Sequence, residues 1–309
     1  MMKIICVVGP TGVGKTELSL DLAQMLETEI ISCDSMQIYR GMNIGTAKIK
    51  PGETRGIKHH MIDVVDPTEL FSSWEYRNQA GDIGEQIANS GRIPLFVGGT
   101  GLYANAILYN LQFMGERKPE IRTKWENYLE EHGKAALFKQ LLQVDPVQKD
   151  RIHPNNTRRV LRALEIYEET GKPMSDQILG MRAPRNDIDA LIIGLTGDRE
   201  FIYDKINDRV DRMMEEGLIE EVEHLVRQYP DFGSTRAAQG IGYKETLRFL
   251  HGEINKQELR ELIAQNTRRY AKRQWTWFGK DPRTHWVEFG TTNMDEIMHM
   301  LKEWGSKRE

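Results

Sequence analysis

Apolar and polar positions along the chain follow two alternating patterns. In the first, short runs of apolar and often β-branched residues predict strands that are buried on both faces of a sheet. These runs occupy residues 3–8, 29–33, 92–97 and 187–195. In the second, apolar residues recur every three or four positions, as Leu18, Leu22 and Leu26 do, which predicts amphipathic helices. Buried strands that alternate with helices predict an α/β fold with a parallel sheet.

One region departs from this alternation. From Pro119 to about Ile178 the helical pattern continues without a strand and is rich in charged residues. We therefore predict an all-helical subdomain, residues 117–183, inserted into a catalytic core formed by residues 1–116 and 184–309. A chain of 309 residues is long enough for one large and one smaller domain.

Composition adds limits on location and partners. The chain has no apolar run near the roughly 20 residues that span a bilayer, so we expect no membrane association. Cys6 and Cys33 lie in strand-like runs without metal-ligand spacing, which predicts reduced thiols in a cytoplasmic protein. The net charge of −4 argues against a uniformly basic nucleic-acid binder, so any contact with RNA must use local basic faces.

The loop after the first strand carries the strongest chemical signal. It fits the pattern G-x-x-x-x-G-K-[ST] at every fixed position and leads into a predicted helix. Such a loop surrounds a phosphate with backbone N–H groups, and the helix N-terminus adds partial positive charge. Lys15 adds a point charge, and the hydroxyl of Thr16 suits Mg²⁺. The predicted diphosphate or nucleotide site consists of Gly9, Pro10, Thr11, Gly12, Val13, Gly14, Lys15 and Thr16.

Two further strands end in polar residues. Asp34 directly follows the second strand, and ligands of open α/β sheets bind beyond the carboxyl ends of the strands. Asp34 is therefore a Mg²⁺ ligand, a general base or a helix cap, and its position favours the first two. The third strand ends in residues 98–100, Gly-Gly-Thr, rather than in the acid with which hydrolysing P-loop enzymes hold Mg²⁺. These amides and the Thr100 hydroxyl suit a leaving group, although a tight turn before a helix gives the same pattern.

Arginines in the helical region have two interpretations. Arg158, Arg159 and Arg162 lie at one-turn spacings on a predicted helix. They either grip a phosphate backbone or pair with Glu165 and Glu169 on a solvated face. The spacing alone favours the ion pairs.

A second basic segment lies near the end of a long predicted helix, residues 255–278. Its basic residues are Arg268, Arg269, Lys272 and Arg273. Tyr270 and Trp277 are predicted to lie on the buried side of this helix. Basic residues beside exposed aromatic residues form a nucleic-acid surface, whereas buried tryptophans beside a solvated basic face give the same sequence. The pattern leaves both interpretations open.

Six motifs, in order along nearly the whole chain, resemble those of the bacterial tRNA dimethylallyltransferases, also called tRNA isopentenyltransferases. They are GPTGVGKT (9–16), DSMQIYRGMNIGTAK (34–48), GGTGLY (98–103), RIHPNNTRRVLRALE (151–165), GIGYK (240–244) and KRQWTW (272–277). The second motif combined with the first is highly specific, whereas the first alone is not. The resemblance implies a P-loop NTPase-like parallel sheet flanked by helices.

The resemblance also implies a reaction. The dimethylallyl group of dimethylallyl diphosphate is transferred to the exocyclic amine of the adenosine 3′-adjacent to the anticodon of a tRNA, and diphosphate is released. In such an enzyme Asp34 is the general base, while Thr100 and Arg209 stabilise the leaving diphosphate. Arg209 is assigned by the match at residues 206–209. The P-loop then serves the prenyl diphosphate, with Mg²⁺ near Thr16 as cofactor. Whether a nucleoside triphosphate also binds, as in ATP-binding P-loop proteins, is left open.

The implied partner is the anticodon stem-loop of tRNA. The target adenine must leave its stack to reach the pocket, and the helical subdomain is expected to grip the stem. We expect the chain to act as a monomer. The residues implied to contact tRNA are Asp34, Ser35, Met36, Gln37, Thr100, Arg122, Arg158, Arg159, Val160, Leu161, Arg162, Gln239, Gly240, Ile241, Gly242, Tyr243, Lys244, Lys272, Arg273 and Trp275.

Three other functions compete with this one. A prenyltransferase of the same fold that acts on free AMP or ADP would need neither the basic segment 264–280 nor the helical insertion. A P-loop small-molecule kinase would transfer phosphoryl groups from ATP and would not use a prenyl diphosphate. A non-catalytic RNA-binding protein would not depend on Asp34.

Overall fold

The chain forms two compact units. The computed structural model describes residues 1–111, 118–176, 183–288 and 294–306. One unit comprises Met1–Leu108 and Asn186–Glu309, and the other comprises Tyr109–Arg185. The first is an α/β unit and the second is helical. Residue 117 and Ile178, near which the sequence patterns placed the ends of the helical region, lie outside the described residues.

A parallel sheet of six strands forms the centre of the α/β unit. In chain order the strands are β1 (Met2–Val8), β2 (Ile30–Ser32), β3 (His59–His60), β4 (Leu95–Gly98), β5 (Ile188–Thr196) and β6 (Thr284–Glu288). Their spatial order is β3-β2-β4-β1-β5-β6. The α/β fold and the four strands predicted from the sequence are confirmed, and β3 and β6 are additional strands at the two edges.

Ten α-helices are described over their whole length. They are α1 (Lys15–Met25), α2 (Ser73–Asn89), α3 (Gly101–Leu108), α4 (Pro119–Val144), α5 (Thr157–Thr170), α6 (Arg199–Glu215), α7 (Leu218–Gln228), α8 (Tyr243–Leu250), α9 (Lys256–Phe278) and α10 (Met294–Ser306). Helices α4 and α5 belong to the helical unit, and the others belong to the α/β unit. Within these described segments, no helix combines the length and low polarity needed to cross a bilayer.

Reciprocal side-chain caps explain why two helix starts follow closely from the sequence. At the start of α2, Ser72 Oγ accepts a hydrogen bond from Glu75 N (3.2 Å), while the Glu75 carboxylate accepts one from Ser72 N (2.6 Å). Asn255 and Glu258 form the same pair at the start of α9, at 3.0 and 2.8 Å. These capping boxes satisfy amides that the first turn of a helix leaves unpaired.

Strand β1 lies at the centre of the sheet and of its core. Val7 pairs with Val97 of β4 on one side and with Ile193 of β5 on the other. Both faces of β1 are covered, so its residues from Ile4 onward are buried and read as a continuous apolar run. The end of β1 therefore delivers the glycine-rich loop to the middle of the carboxyl edge of the sheet.

The helical unit has its own apolar core between α4 and α5. Gly133, with φ of 78°, interrupts α4. Asn156 caps the start of α5. Val160 and Leu161 of α5 pack with Leu137 of α4 in this core. These two residues lie on the buried face of α5.

Candidate active site

Three segments meet at the carboxyl edge of the sheet. The glycine-rich loop follows β1, Asp34 follows β2, and the turn at 98–100 ends β4, which lies between the other two strands. The turn contacts the segment around Asp34, because Thr100 N donates to Cys33 O (3.0 Å) and Ser35 N donates to Thr100 Oγ1 (3.0 Å). The three segments therefore share one edge of the sheet, as the strand patterns predicted.

The backbone of the glycine-rich loop is shaped for an anion. Gly9 lies against β5, where a Cβ atom would come within 2.5 Å of Leu195 O. Gly12 and Gly14 have φ values of 85° and 88°, which side-chain-bearing residues rarely adopt. Gly14 is the N-cap of α1 and has no side chain to occupy the unpaired amides of the first turn. Those amides and the helix dipole can therefore act on a phosphate group.

Two cationic side chains border this loop. Lys15 Nζ donates to Gly9 O (3.0 Å) and Pro10 O (2.7 Å), and Arg209 Nη1 of α6 donates to Thr11 Oγ1 (2.9 Å). Burial, followed by the nearby charge of Arg209, lowers the pKa of Lys15 to about 7. Burial also lowers the pKa of Arg209. Two partly buried cations that lie close to each other favour a bound anion between them.

The carboxylate of Asp34 uses its two oxygens differently. Oδ1 accepts hydrogen bonds from Met36 N (2.8 Å) and Gln37 N (3.4 Å), which fixes the orientation of the side chain. Within the described residues, Oδ2 has no hydrogen-bond partner. The charge of Asp34 opposes this lowering of the pKa of both Lys15 and Arg209, so the carboxylate lies within electrostatic reach of the glycine-rich loop. The cap formed by Asp34 closes a turn rather than a regular helix, and one oxygen stays available to accept a proton.

Much of the motif at 34–48 specifies the shape of the loop rather than its chemistry. The carboxylate of Glu221 accepts hydrogen bonds of 2.8–3.2 Å from the amides of Asn43, Ile44 and Gly45. The same carboxylate accepts the Tyr243 hydroxyl at 2.7 Å, and the Tyr243 ring packs where a Cβ on Gly45 would lie. Tyr243 is fully buried in this role. The prediction that its side chain contacts tRNA is therefore corrected, because the side chain has no surface to offer.

Two residues of α9 that the sequence did not assign to the site contact it. Gln274 Oε1 accepts a hydrogen bond from Thr11 N (2.8 Å), and Gln274 Nε2 donates to Gly99 O (2.9 Å). Tyr270 Oη donates to Gly99 O (3.3 Å), and burial raises the pKa of Tyr270 to about 12. The two residues lie four positions apart and so share a helix face. A buried glutamine on the face of α9 that carries Tyr270 is the signal that could have identified them.

The thiol and imidazole groups of the α/β unit have local partners. Cys6 and Cys33 are both buried and free of disulfides, as predicted. His60 Nε2 lies 2.6 Å from a carboxylate oxygen of Glu29, and His59 Nδ1 lies 3.0 Å from Ile57 O. His59 and His60 therefore support the sheet edge formed by β3, whereas Cys6 lies in the central strand β1.

Two of the arginines assigned to tRNA share one buried carboxylate in the helical unit. Arg122 Nη1 donates to Glu165 Oε1 (2.8 Å), and Arg162 Nη1 donates to Glu165 Oε2 (3.0 Å). Glu165 is 4% exposed, whereas both arginines reach the surface. The predicted pairing of Arg162 with Glu165 is confirmed, but the carboxylate is buried rather than on a solvated face. The pairing leaves room for contact with RNA, because each guanidinium carries further N–H donors.

The other residues of the segment 158–162 differ in their exposure to solvent. Arg158 and Arg159 are exposed on α5. Val160 and Leu161 are 0% and 3% exposed, in the core of the helical unit. Their predicted side-chain contacts with tRNA are corrected for this reason, since the two residues hold the helix in place and only the arginines face solvent.

The basic face of α9 is exposed. Arg269, Lys272 and Arg273 are open to solvent. Trp275 is partly buried, and its Nε1 donates to Thr196 Oγ1 (3.1 Å). Trp277 is 42% exposed and packs on Gly101, so its predicted burial is wrong. Basic and aromatic side chains therefore do share this surface, which favours the nucleic-acid interpretation.

The loop before α8 offers fewer side chains than predicted. Gln239 is exposed, and Lys244 is partly exposed with its Nζ 3.6 Å from Glu245. Gly240 and Gly242 are buried, and Ile241 is partly buried. Contact of this loop with RNA would therefore depend on its two polar side chains.

The hydroxyl of Thr16 is exposed at the start of α1. The described residues contain no group of three or more His, Cys, Asp or Glu that could hold a metal ion. Mg²⁺ keeps several waters and binds through substrate phosphates plus one or two protein oxygens. A single hydroxyl beside the glycine-rich loop fits that donor set.

Comparison with known proteins gives consistent results along the chain. A family model described as IPP transferase matches residues 37–281, and one described as isopentenyl transferase matches residues 2–65. A tRNA dimethylallyltransferase of Symbiobacterium thermophilum is 44% identical over 315 aligned positions, covering 100% of this chain and 98% of the relative. The tRNA dimethylallyltransferase of Caldanaerobacter subterraneus is 46% identical over 282 positions, covering 90% and 89%.

Solved structures agree with the sequence relatives. A tRNA delta(2)-isopentenylpyrophosphate transferase of Staphylococcus epidermidis has a TM-score of 0.72 and 39% identity, covering 100% of both chains. A eukaryotic dimethylallyltransferase acting on tRNA has a TM-score of 0.85 and 30% identity, covering 100% of this chain and 81% of that one. The chain therefore belongs to the IPP transferase family of tRNA dimethylallyltransferases, a class of prenyltransferase enzymes.

Proposed function

We propose that the chain transfers a dimethylallyl group from dimethylallyl diphosphate to the exocyclic amine of the adenosine 3′-adjacent to the anticodon. The adenine N6 lone pair forms a bond to C1 of the dimethylallyl group. The bond between C1 and the diphosphate oxygen breaks, and its electron pair leaves with the diphosphate. The proton of N6 passes to a carboxylate, so charge and atoms balance.

The glycine-rich loop would hold the diphosphate. Its first-turn amides, Lys15 and Arg209 are donors that border the same loop, and such donors stabilise the negative charge that grows on a leaving group. Thr16 would hold Mg²⁺, which would further neutralise the diphosphate when bound. No strand-end acid is required, because no water has to be activated.

Asp34 would act as the general base. The adenine amine is a weak nucleophile because its lone pair is delocalised into the ring, so removal of its proton assists as the new bond forms. The observation that carries this proposal is the unengaged Oδ2 of Asp34, held within electrostatic reach of a loop lined by two cations. Thr100 Oγ1 bonds to Ser35 beside Asp34, which supports a role in positioning the acceptor side of the site.

The acceptor would be an extruded base of an RNA loop. The exposed cations of α9, and Arg158 and Arg159 of the helical unit, supply phosphate contacts that a mononucleotide would not need. An adenine in a stacked loop has to leave its stack before its amine can reach a pocket. We propose that the anticodon stem-loop is the partner, that Mg²⁺ is the cofactor, and that the enzyme acts as a monomer in the cytoplasm.

Radiolabelled dimethylallyl diphosphate with Mg²⁺ tests this function when offered to three acceptors. They are a tRNA transcript with adenosine 3′ to the anticodon, the same transcript with inosine there, and AMP. We expect label in the adenosine transcript alone, because inosine lacks the exocyclic amine. Transfer to AMP alone would replace the proposal with the mononucleotide prenyltransferase. Phosphoryl transfer from ATP without prenyl transfer would indicate the kinase.

A further inference from the structure

Helix α9 carries both an exposed basic face and a buried amide. Lys272 and Arg273 are open to solvent, whereas Gln274, the next residue, is 4% exposed. The same rigid element therefore reaches the surface where RNA is proposed to bind and the interior of the diphosphate site. The proposed function uses the basic face of α9 but gives no role to this buried amide.

The side chain of Gln274 uses both of its polar atoms between two loops. Its Oε1 accepts from Thr11 N at 2.8 Å, and its Nε2 donates to Gly99 O at 2.9 Å. Since one partner is an N–H donor and the other a carbonyl acceptor, only one orientation of the amide satisfies both. The amide therefore connects the glycine-rich loop after β1 to the turn after β4.

Glycines on the turn make this approach possible. A Cβ atom on Gly99 would overlap Gln274 Nε2, and a Cβ atom on Gly101 would overlap the ring of Trp277. Helix α9 thus lies directly on the turn through two positions that lack side chains. Any displacement of α9 relative to the sheet has to move the amide or the turn.

Both ends of the Gln274 bridge are next to groups of the proposed mechanism. Thr11 donates its N–H to Gln274 while its Oγ1 accepts Arg209 Nη1, so one residue joins the bridge to a diphosphate-binding cation. Gly99 directly precedes Thr100, whose hydroxyl contacts Ser35 beside Asp34. A movement of the Gln274 amide would therefore displace groups beside the proposed prenyl diphosphate and groups beside the proposed adenine.

We infer that Gln274 is a positioning residue that couples RNA binding on α9 to the diphosphate loop. The inference rests on the proposed function, since it links the two ligands of that reaction. RNA held on the basic face fixes α9, and the fixed amide then holds Thr11 and Gly99 in the geometry that binds diphosphate. By thermodynamic linkage, diphosphate strengthens RNA binding by the same factor.

Calorimetric titration with inorganic diphosphate and Mg²⁺ tests the coupling, in the absence and presence of an unmodified anticodon stem-loop hairpin. We expect the hairpin to tighten diphosphate binding to the wild-type protein by about fivefold, within the usual range of such couplings. In Gln274→Met the factor should fall to about one, and diphosphate binding alone should weaken about five- to tenfold, since two buried groups lose their partner. Gln257→Met, which changes an exposed glutamine near the start of the same helix, should keep the wild-type values.

Gln274→Glu tests the role through the pH dependence of diphosphate affinity, which would not change if Gln274 only stabilised the fold. A protonated glutamic acid can donate to Gly99 O and accept from Thr11 N as glutamine does, but the ionised form cannot donate. Burial raises the pKa of a carboxylic acid, so the ratio of diphosphate affinity between this variant and wild type should be near one at about pH 5.5 and fall about tenfold by about pH 8. The corresponding ratio for Gln274→Met should not change with pH. This second variant also keeps the test decisive if Gln274→Met unfolds.

Two results would overturn the inference. The first is a wild-type affinity for diphosphate that the hairpin does not change. The second is a coupling factor in folded Gln274→Met equal to that of wild type, together with a flat pH ratio for Gln274→Glu. If the wild-type protein binds neither diphosphate nor the hairpin, the proposed function itself fails. If it binds both and the variants behave as wild type, only the coupling role fails.

Discussion

The two carboxylate oxygens of Asp34 have different roles: one fixes the orientation of the side chain, and the other is available for the reaction. Two backbone amides, those of Met36 and Gln37, hold one carboxylate oxygen, and the other oxygen is left for the substrate. Substitution by asparagine would keep an oxygen for the turn while removing the base. This allows the chemical role of Asp34 to be tested without a change in the local fold.

We predict that Asp34→Asn lowers the rate of prenyl transfer by about 10²- to 10⁴-fold, the usual contribution of a general base. The affinity for tRNA should survive, because the phosphate contacts are elsewhere. Single-turnover transfer and a filter-binding titration measure the two effects. Asp82→Asn, at an exposed position of α2, is the matched control and should retain wild-type transfer. Full transfer by Asp34→Asn would remove the base from the mechanism.

Thr100→Ala tests the neighbouring hydroxyl. Its Oγ1 accepts Ser35 N and donates to Ser35 Oγ, so its loss leaves an amide beside Asp34 without a partner. We expect transfer to slow by about 10²-fold, because a misplacement of about 1 Å in a positioned group can cost that much. Binding of diphosphate should change little if the hydroxyl serves the acceptor side. A large loss of diphosphate affinity would place it on the leaving-group side instead.

The pKa of Lys15, lowered to about 7 by burial and by Arg209, gives diphosphate binding a definite pH dependence. Below that pH the free protein already carries the charge. Above it, binding has to take up a proton, because the anion favours the charged form. The affinity should therefore fall by up to about tenfold per pH unit above about pH 7. Diphosphate should therefore bind more weakly at higher pH.

Calorimetry between about pH 6 and pH 9 with Lys15→Arg as reference isolates this effect, since a guanidinium does not titrate in that range. The wild-type protein should show the steeper decline and should take up protons from the buffer on binding. Equal slopes in the two proteins would show that Lys15 stays charged throughout.

At the scale of elements, α9 is a helix with separate faces. Its buried face carries Gln274 and Tyr270 toward the site, and its exposed face carries Arg269, Lys272 and Arg273. We predict that Lys272→Ala weakens tRNA binding and reduces the salt slope of the affinity by about one, the value for one lost phosphate contact. Diphosphate affinity without RNA should stay at the wild-type value.

Lys256→Ala is the control for that measurement, because Lys256 is exposed at the other end of the same helix, about 24 Å away along its axis. Its salt slope should match wild type. If Lys272→Ala also matches wild type, the basic face of α9 does not contact RNA.

The loop 42–48 depends on a carboxylate that belongs to a different element, Glu221 of α7. Tyr243→Phe removes one hydrogen bond to this partly buried carboxylate and should lower the free energy of unfolding by about 1.5–3 kcal/mol. Urea denaturation measures the change. Tyr229→Phe removes a surface hydroxyl bond and should cost far less. An equally small loss for Tyr243→Phe would mean that other contacts hold the loop.

At the scale of the whole molecule, local patterns predicted the elements and resemblance predicted the chemistry. The buried strands, the caps of α2 and α9, and the helical unit follow from periodicity and from side-chain to backbone bonds only a few residues apart. The edge strand β6 and helix α10 were not predicted: β6 is short, and three of its five residues are not apolar in character. An edge strand of that kind gives a weak pattern.

Residues that act across the fold could not be found in this way. Glu221 caps amides about 177 positions earlier, and Gln274 bonds to Thr11, 263 positions earlier. No local spacing contains these pairings, since they arise only when the sheet brings its strand ends together. Conversely, Val160, Leu161 and Tyr243 belong to motifs that resemble the family, yet burial gives them supporting roles.

The central claim is that an adenine from RNA binds between Asp34, which accepts its proton, and the glycine-rich loop, which holds the diphosphate. Mass spectrometry of a tRNA transcript, digested after incubation with Mg²⁺ and dimethylallyl diphosphate, tests it most directly when wild type and Asp34→Asn are run in parallel. We predict one added dimethylallyl group on the adenosine 3′-adjacent to the anticodon with the wild-type protein, and almost none with Asp34→Asn in the same time. An unmodified adenosine with the wild-type protein, or equal modification by both proteins, would contradict the account.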